Sequence, residues 1–175
     1  AKENGIKVLL SGVGGDDLFT GYRRHKALMM ENYWQWLPKF VKSNIPKVTQ
    51  TIPNYNSSIR RMKKALAYID KDENQRICSY FYWLNPDLIN SISSDKTKEK
   101  FSQFNFDSMM TEKLDSLNDY HPLNKMLFIE LSHFLADHNL NYTDKMGMAE
   151  GVEIRVPLLD KDILDFALKI PIKYK

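Results

Sequence analysis

Apolar positions along this chain fall mostly at helical spacing, with one exception near its start. Residues 6–10, apolar except for Lys7, predict a short buried strand. Residues 16–37 carry Leu18, Phe19, Tyr22, Leu28, Met29, Tyr33 and Trp36 and predict one helix ending at Pro38. Pro46 and Pro53 confine residues 39–56 to short helical pieces or loop. Ser57-Ser58 offers a cap for a helix through Ile59, Met62, Leu66 and Ile69. Residues 73–84, dense in aromatics, read as a buried helix. Asn85-Pro86-Asp87 starts a short one reaching about Ile92. The polar, lysine-rich stretch 93–106 reads as exposed surface, and 107–118 as an amphipathic helix. Pro122 suits the first position of a helix whose core stripe is Leu127, Leu131, Phe134, Leu135 and His138. Residues 139–160 are irregular in pattern, and a last helix, 161–169, ends before Pro171.

At 175 residues and 43% hydrophobic composition the chain fits one domain or a large piece of one. The balance of 25 Lys+Arg against 22 Asp+Glu argues for neither a nucleic-acid binder nor a membrane-surface protein. The single cysteine, Cys78, excludes an internal disulfide framework and suits a reducing compartment. No apolar stretch is long enough to span a bilayer and no secretory signal is visible, so a cytoplasmic protein is expected. Residues 1–5 read as the last turn of a helix stopped by Gly5. A helix end feeding a strand is half of a crossover unit, which points to a fragment of a longer protein.

Between the strand and the first helix lies Ser11-Gly12-Val13-Gly14-Gly15-Asp16-Asp17. Such a turn lets backbone N–H groups approach an anion or a nucleotide, and it equally suits a tight structural connection. It is not a dinucleotide fingerprint, because Asp17 stands where a third glycine belongs. Glu130 and His133, with Asp137 a turn further on, make a single Glu-x-x-His pair where a di-iron site needs two, so a polar helix face is expected. Arg23-Arg24-His25-Lys26 reads as a solvated face rather than a phosphate site, and the aromatics at 80–83 as core. In residues 144–160, charges at Asp144, Lys145, Glu150, Glu153, Arg155 and Asp160 interleave with apolar residues. Glu153 and Arg155 share a face if extended. An ion-pair network and a pocket wall both fit.

Together, residues 11–22 and 144–160 resemble two motifs in the synthetase domain of the glutamine-dependent asparagine synthetase family. The first is similar to Ser-Gly-x-Gly-Gly-Asp-Glu-Leu-Phe-Gly-Gly-Tyr. The second is similar to Asp-Arg/Lys-x-Ser-Met-Ala…Glu-x-Arg-x-Pro-Phe-Leu-Asp. The resemblance implies an α/β fold of the ATP-pyrophosphatase type, an adenine nucleotide alpha hydrolase-like parallel sheet. Residues 1–175 would be a partial synthetase domain, predominantly α-helical with one N-terminal strand. The upstream pyrophosphate loop, the N-terminal glutaminase domain and the C-terminal end would lie outside it.

The resemblance also implies an asparagine synthase-like ligase. Such an enzyme uses ATP and Mg²⁺ to adenylate aspartate or a related acid, then amidates it with ammonia from glutamine. A glutaminase domain in cis would be its partner, a homodimer is compatible with it, and neither nucleic acid nor membrane is involved. Ser11 and Gly12 match nucleotide-contacting positions, and Asp16 and Asp17 match the acidic pair opening the following helix. Asp144, Glu153, Arg155 and Asp160 match residues shaping the far side of the cleft. No metal-ligand set is expected within this stretch, which alone should be inactive. Val13 stands where the family carries an acidic residue, Thr20 where it carries glycine, and Gly147 where it carries serine. Val13 opens the identity of the acid. The rival reading is a degenerate member kept as a helical scaffold or interaction module.

Overall fold

Gly5, in the left-handed region at φ 71°, closes a 3₁₀ turn over Lys2–Asn4 and directs the chain into strand β1, Val8–Leu10. In the computed structural model, which describes residues 1–53, 55–101 and 108–175, the chain divides into two units. One unit comprises Ala1–Met29 and Leu123–Lys175, the other Met30–Pro122.

In the first unit β1 pairs in parallel with β2, Glu153–Arg155, in the register Val8↔Glu153, Leu9↔Ile154, Leu10↔Arg155. The sheet thus has a second strand where an irregular stretch and a single N-terminal strand are expected. At three residues β2 is too short for its alternation to register. Nor is β1 buried: Leu10 is 75% exposed, because among the described residues β2 is the only neighbour of β1. A parallel strand is covered on both faces only inside a larger layered sheet.

The helix expected over 16–37 is broken. Helix α1, Gly15–Phe19, ends at Thr20, which adopts a left-handed conformation and donates its N–H to the Asp16 carbonyl. Helix α2, Arg23–Met30, follows after Gly21, and a 3₁₀ turn spans Glu31–Tyr33.

Three helices of the second unit bear on the sequence reading. Helix α3, Lys39–Thr51, continues through Pro46, which has no N–H to give to the helix ladder. Helix α4, Ser57–Leu66, is capped by Asn56, whose side chain accepts from the Ile59 N–H at 2.9 Å; the cap is one residue ahead of the predicted serines. Helix α5, Glu73–Ser79, stops before the aromatic cluster, and Trp83 is 78% exposed rather than core. Helices α6 (Pro86–Ile92), α7 (Asp95–Phe101) and α8 (Ser108–Asp115) complete this unit; residues 102–107, covered by the two expectations for 93–118, lie outside the described residues. Its core gathers Ile69, Ile77, Cys78 and Leu114, with α5 packed on α8. Beside it the buried Glu31 accepts from Arg76 Nε at 2.7 Å and from the Tyr80 hydroxyl at 2.9 Å.

Back in the first unit, α9 (Pro122–Ile129) opens at proline as expected. It passes without a break into a π-wound segment, Glu130–Leu140, and then into α10, Asn141–Ala149. Helix α11, Lys161–Lys169, matches its predicted limits; the Asp160 carboxylate caps it by accepting from the Asp162 N–H at 2.9 Å. The core holds Leu18, Leu123, Met126, Ile129, Leu135 and Ala167. Among the described residues no helix is long and apolar enough to cross a membrane.

Candidate active site

The two motifs meet through backbone and packing. The Ser11 N–H donates to the Arg155 carbonyl at 2.8 Å, which extends the β1–β2 ladder by one bond into the glycine turn. The Ser11 hydroxyl in turn accepts from the Val13 N–H at 3.3 Å. Gly14, at φ 93°, lies against Leu159 in the 3₁₀ turn Pro157–Leu159. Only glycine serves there, because the conformation is left-handed and a Cβ would strike the leucine.

Beyond the turn lies a cavity of about 240 Å³ lined by Gly12, Val13, Gly14, Asp16, Asp17, Tyr22 and Asn139. Asp17 is 1% exposed, and its Oδ1 is buried without a hydrogen-bond partner. Its Oδ2 accepts from the Tyr22 hydroxyl at 3.3 Å, and that hydroxyl accepts from Asn139 Nδ2 at 3.3 Å. Burial, and next the negative charge of Glu130, hold the Asp17 carboxyl above its ordinary range. Burial and the Asp17 charge push the Tyr22 phenol up to about 12.

A second layer supports this wall. Glu130 is fully buried, and its carboxylate takes both Nε and Nη2 of Arg24 while His25 Nε2 lies 3.0 Å from Oε1. The Arg24 guanidinium stands 4.4 Å from the ring centroids of both Tyr22 and Phe134. Two expectations are corrected here. Arg24 and His25 turn inward from the basic run, and Glu130 is a buried ion-pair partner rather than part of a polar helix face. His133 is not drawn into this group; its Nδ1 lies 3.8 Å from Asp137 Oδ2. Sequence reasoning overlooked Tyr22, Arg24, Glu130 and Asn139 as a group, although a glutamate set among apolar residues in α9 and the following turn was a usable signal.

The second-motif residues are spread more widely. Arg155 ends β2 beside the turn, and its Nε donates to Glu153 Oε1 at 2.7 Å on an exposed face. That bond holds the Glu153 carboxyl below its usual range. Asp160 is occupied as the cap of α11. Asp144 is exposed on α10 and does not line the cavity. Gly147 explains the seating of α10: a Cβ there would fall 2.8 Å from the Val152 carbonyl oxygen and 2.8 Å from Ile154 Cγ1.

Among known proteins, the asparagine synthase family profile matches residues 1–175. Asparagine synthetase [glutamine-hydrolyzing] 1 of Bacillus subtilis is 27% identical over 97% of this chain and 26% of its own length. A putative asparagine synthetase of Mycobacterium tuberculosis is 25% identical over 95% of the chain and 24% of its own length. One from Methanocaldococcus jannaschii is 25% identical over the whole chain and 16% of its own length. The chain therefore spans about a quarter or less of these relatives. No solved structure matches it significantly.

Proposed function

Because the chain belongs to the asparagine synthase family, we propose that it forms one wall of the synthetase site of an ATP-dependent amidotransferase. The parent protein would adenylate aspartate or a related acid, release pyrophosphate, and pass the acyl group to ammonia drawn from glutamine. The observation that carries this reading is the joining of the two motifs. The Ser11–Arg155 backbone bond and the Gly14–Leu159 contact hold the two motifs side by side, and the first of them lines a polar cavity.

The residues present fit a nucleotide and its cation. Gly12 has open space where a side chain would stand, so its backbone is free to approach a phosphate. Asp16 and Asp17 line the cavity, and the unpartnered Asp17 Oδ1 is a hard oxygen donor of the kind Mg²⁺ takes. When bound, Mg²⁺ would neutralise charge developing on the phosphates. Ser11 and Gly12 would hold the nucleotide end. Asp16 and Asp17 would set the polarity of the cavity, with Glu153 and Arg155 on the far edge. Asp160 would act through α11. Val13, apolar within the lining, offers no proton acceptor to an amine or to the acid's own amino group.

The test is ATP–pyrophosphate exchange by the full-length protein across a panel of carboxylic acids. Exchange with aspartate or a related acid is the expected result. A folded, full-length protein that exchanges with none of them refutes the reading. Residues 1–175 alone should show no exchange.

A further inference from the structure

Arg24 brings a half-buried charge into the packing behind the cavity wall. Its partner Glu130 is fully buried, and a buried ion pair is commonly no more stabilising than well-packed apolar residues. What the pair supplies is fixed geometry. Two nitrogens of the planar guanidinium engage the two oxygens of Glu130, and this fork sets the plane of the group. Its Cζ lies 4.4 Å from the Tyr22 ring centroid on one contact and 4.4 Å from that of Phe134 on the other. The Tyr22 hydroxyl then reaches Asp17 Oδ2 and Asn139 Nδ2, each at 3.3 Å, at the cavity wall.

We propose that Arg24 is a positioning residue: clamped by Glu130 and packed against the rings of Tyr22 and Phe134, it fixes the Tyr22 hydroxyl against Asp17 in the cavity wall. The consequence for turnover rests on the amidotransferase reading; the placement of Tyr22 does not. The charged and titratable groups around Tyr22 are Asp17 from α1, Arg24 and His25 from α2, and Glu130 and His138 from the π-wound segment. His25 meets the Tyr22 ring edge-on, and His138 stacks on Phe134.

Removing Arg24 alone strands the Glu130 charge and threatens folding, so the informative variant is Arg24→Met with Glu130→Gln in the full-length protein. This pair removes both charges and keeps a partner for His25. The readout is the crystal structure of each folded variant. In the double variant the Tyr22 hydroxyl should leave hydrogen-bond distance of Asp17 Oδ2, from which it stands 3.3 Å in the wild type. Phe134→Leu, which keeps the ion pair and removes one ring, should displace it by less. With turnover measured in parallel, kcat should drop on the order of tenfold or more while KM for ATP changes little. Arg24→Lys should recover part of the loss. A Tyr22 hydroxyl that keeps its place against Asp17 in both the folded double variant and Phe134→Leu overturns the proposal, whether or not the protein turns over. A wild type that holds Tyr22 against Asp17 yet exchanges no pyrophosphate refutes only the amidotransferase reading.

Discussion

Gly14 and Leu159 compete for one volume: a Cβ on Gly14 would lie 2.7 Å from Leu159 Cγ and nearer still to Cδ2. Gly14→Ala should therefore pay twice, for its left-handed backbone and for overpacking, together about 2–4 kcal/mol. In a Leu159→Ala background the overpacking component should vanish. Denaturant titration of the two single variants and the double variant measures this coupling.

Thr20 holds a left-handed conformation, at φ 64°, that β-branched residues rarely adopt. Its hydroxyl donates to the Phe19 carbonyl at 2.7 Å and offsets only part of the strain. Thr20→Gly should raise stability by about 1 kcal/mol, read as a higher thermal midpoint.

Asp17 carries a raised carboxyl pKa, caused first by burial and then by Glu130. Above its unfolded value the unfolded chain releases this proton more readily than the folded one. Stability attributed to Asp17 is thus present at acid pH and lost as pH rises through the folded value. Asp17→Asn should melt higher than wild type at neutral pH, and the gap should close on acidification toward pH 3.8, the group's ordinary pKa. Thermal melts across pH check this, and exchange activity should fall in the same variant.

Glu31 is the hub of the second unit's buried polar group. Glu31→Ala would leave Arg76 and the Tyr80 hydroxyl without it and should cost about 3–5 kcal/mol. Tyr80→Phe, which removes one bond from the hub, should cost only about 1 kcal/mol. Burial and the Glu31 charge push the Tyr80 phenol up, so it should resist ionisation in alkaline spectrophotometric titration.

Arg155 and Glu153 pair on an exposed face, where such a contact adds little to stability. Arg155→Ala should leave the thermal midpoint unchanged within error. If the proposed role holds, it should lower exchange by the full-length protein on the order of tenfold or more. A fall in the midpoint with normal exchange would reverse that assignment.

Local chemistry was the legible part of this chain. Pro122 and Pro171 mark real helix limits because proline acts on its own turn, and the two motifs announce themselves as contiguous strings. Partners distant in sequence were not legible. Arg24 and Arg23 are adjacent and chemically identical, yet among the described residues it is Arg24 that finds a carboxylate, 106 residues away. Glu130 likewise looked solvated because nothing in its own helix shows the cation above it. The helix break at Thr20 was not legible because a single left-handed residue leaves the apolar spacing on either side intact.

The core stripe predicted beyond Pro122 follows α-helical spacing, whereas Glu130, Phe134 and Asn139 reach His25, Arg24 and Tyr22 of one short segment at steps of four and five. That spacing belongs to the i→i+5 ladder of the π-wound segment Glu130–Leu140. The wider winding works as a phase offset within one continuous helix: the near end presents a carboxylate to Arg24 and the far end an amide to Tyr22. Gaining or losing a residue in this stretch would change azimuth before it changed reach, by about 100° for each α-helical residue. The length of that turn, rather than the identity of any one side chain in it, decides which group faces the glycine cradle.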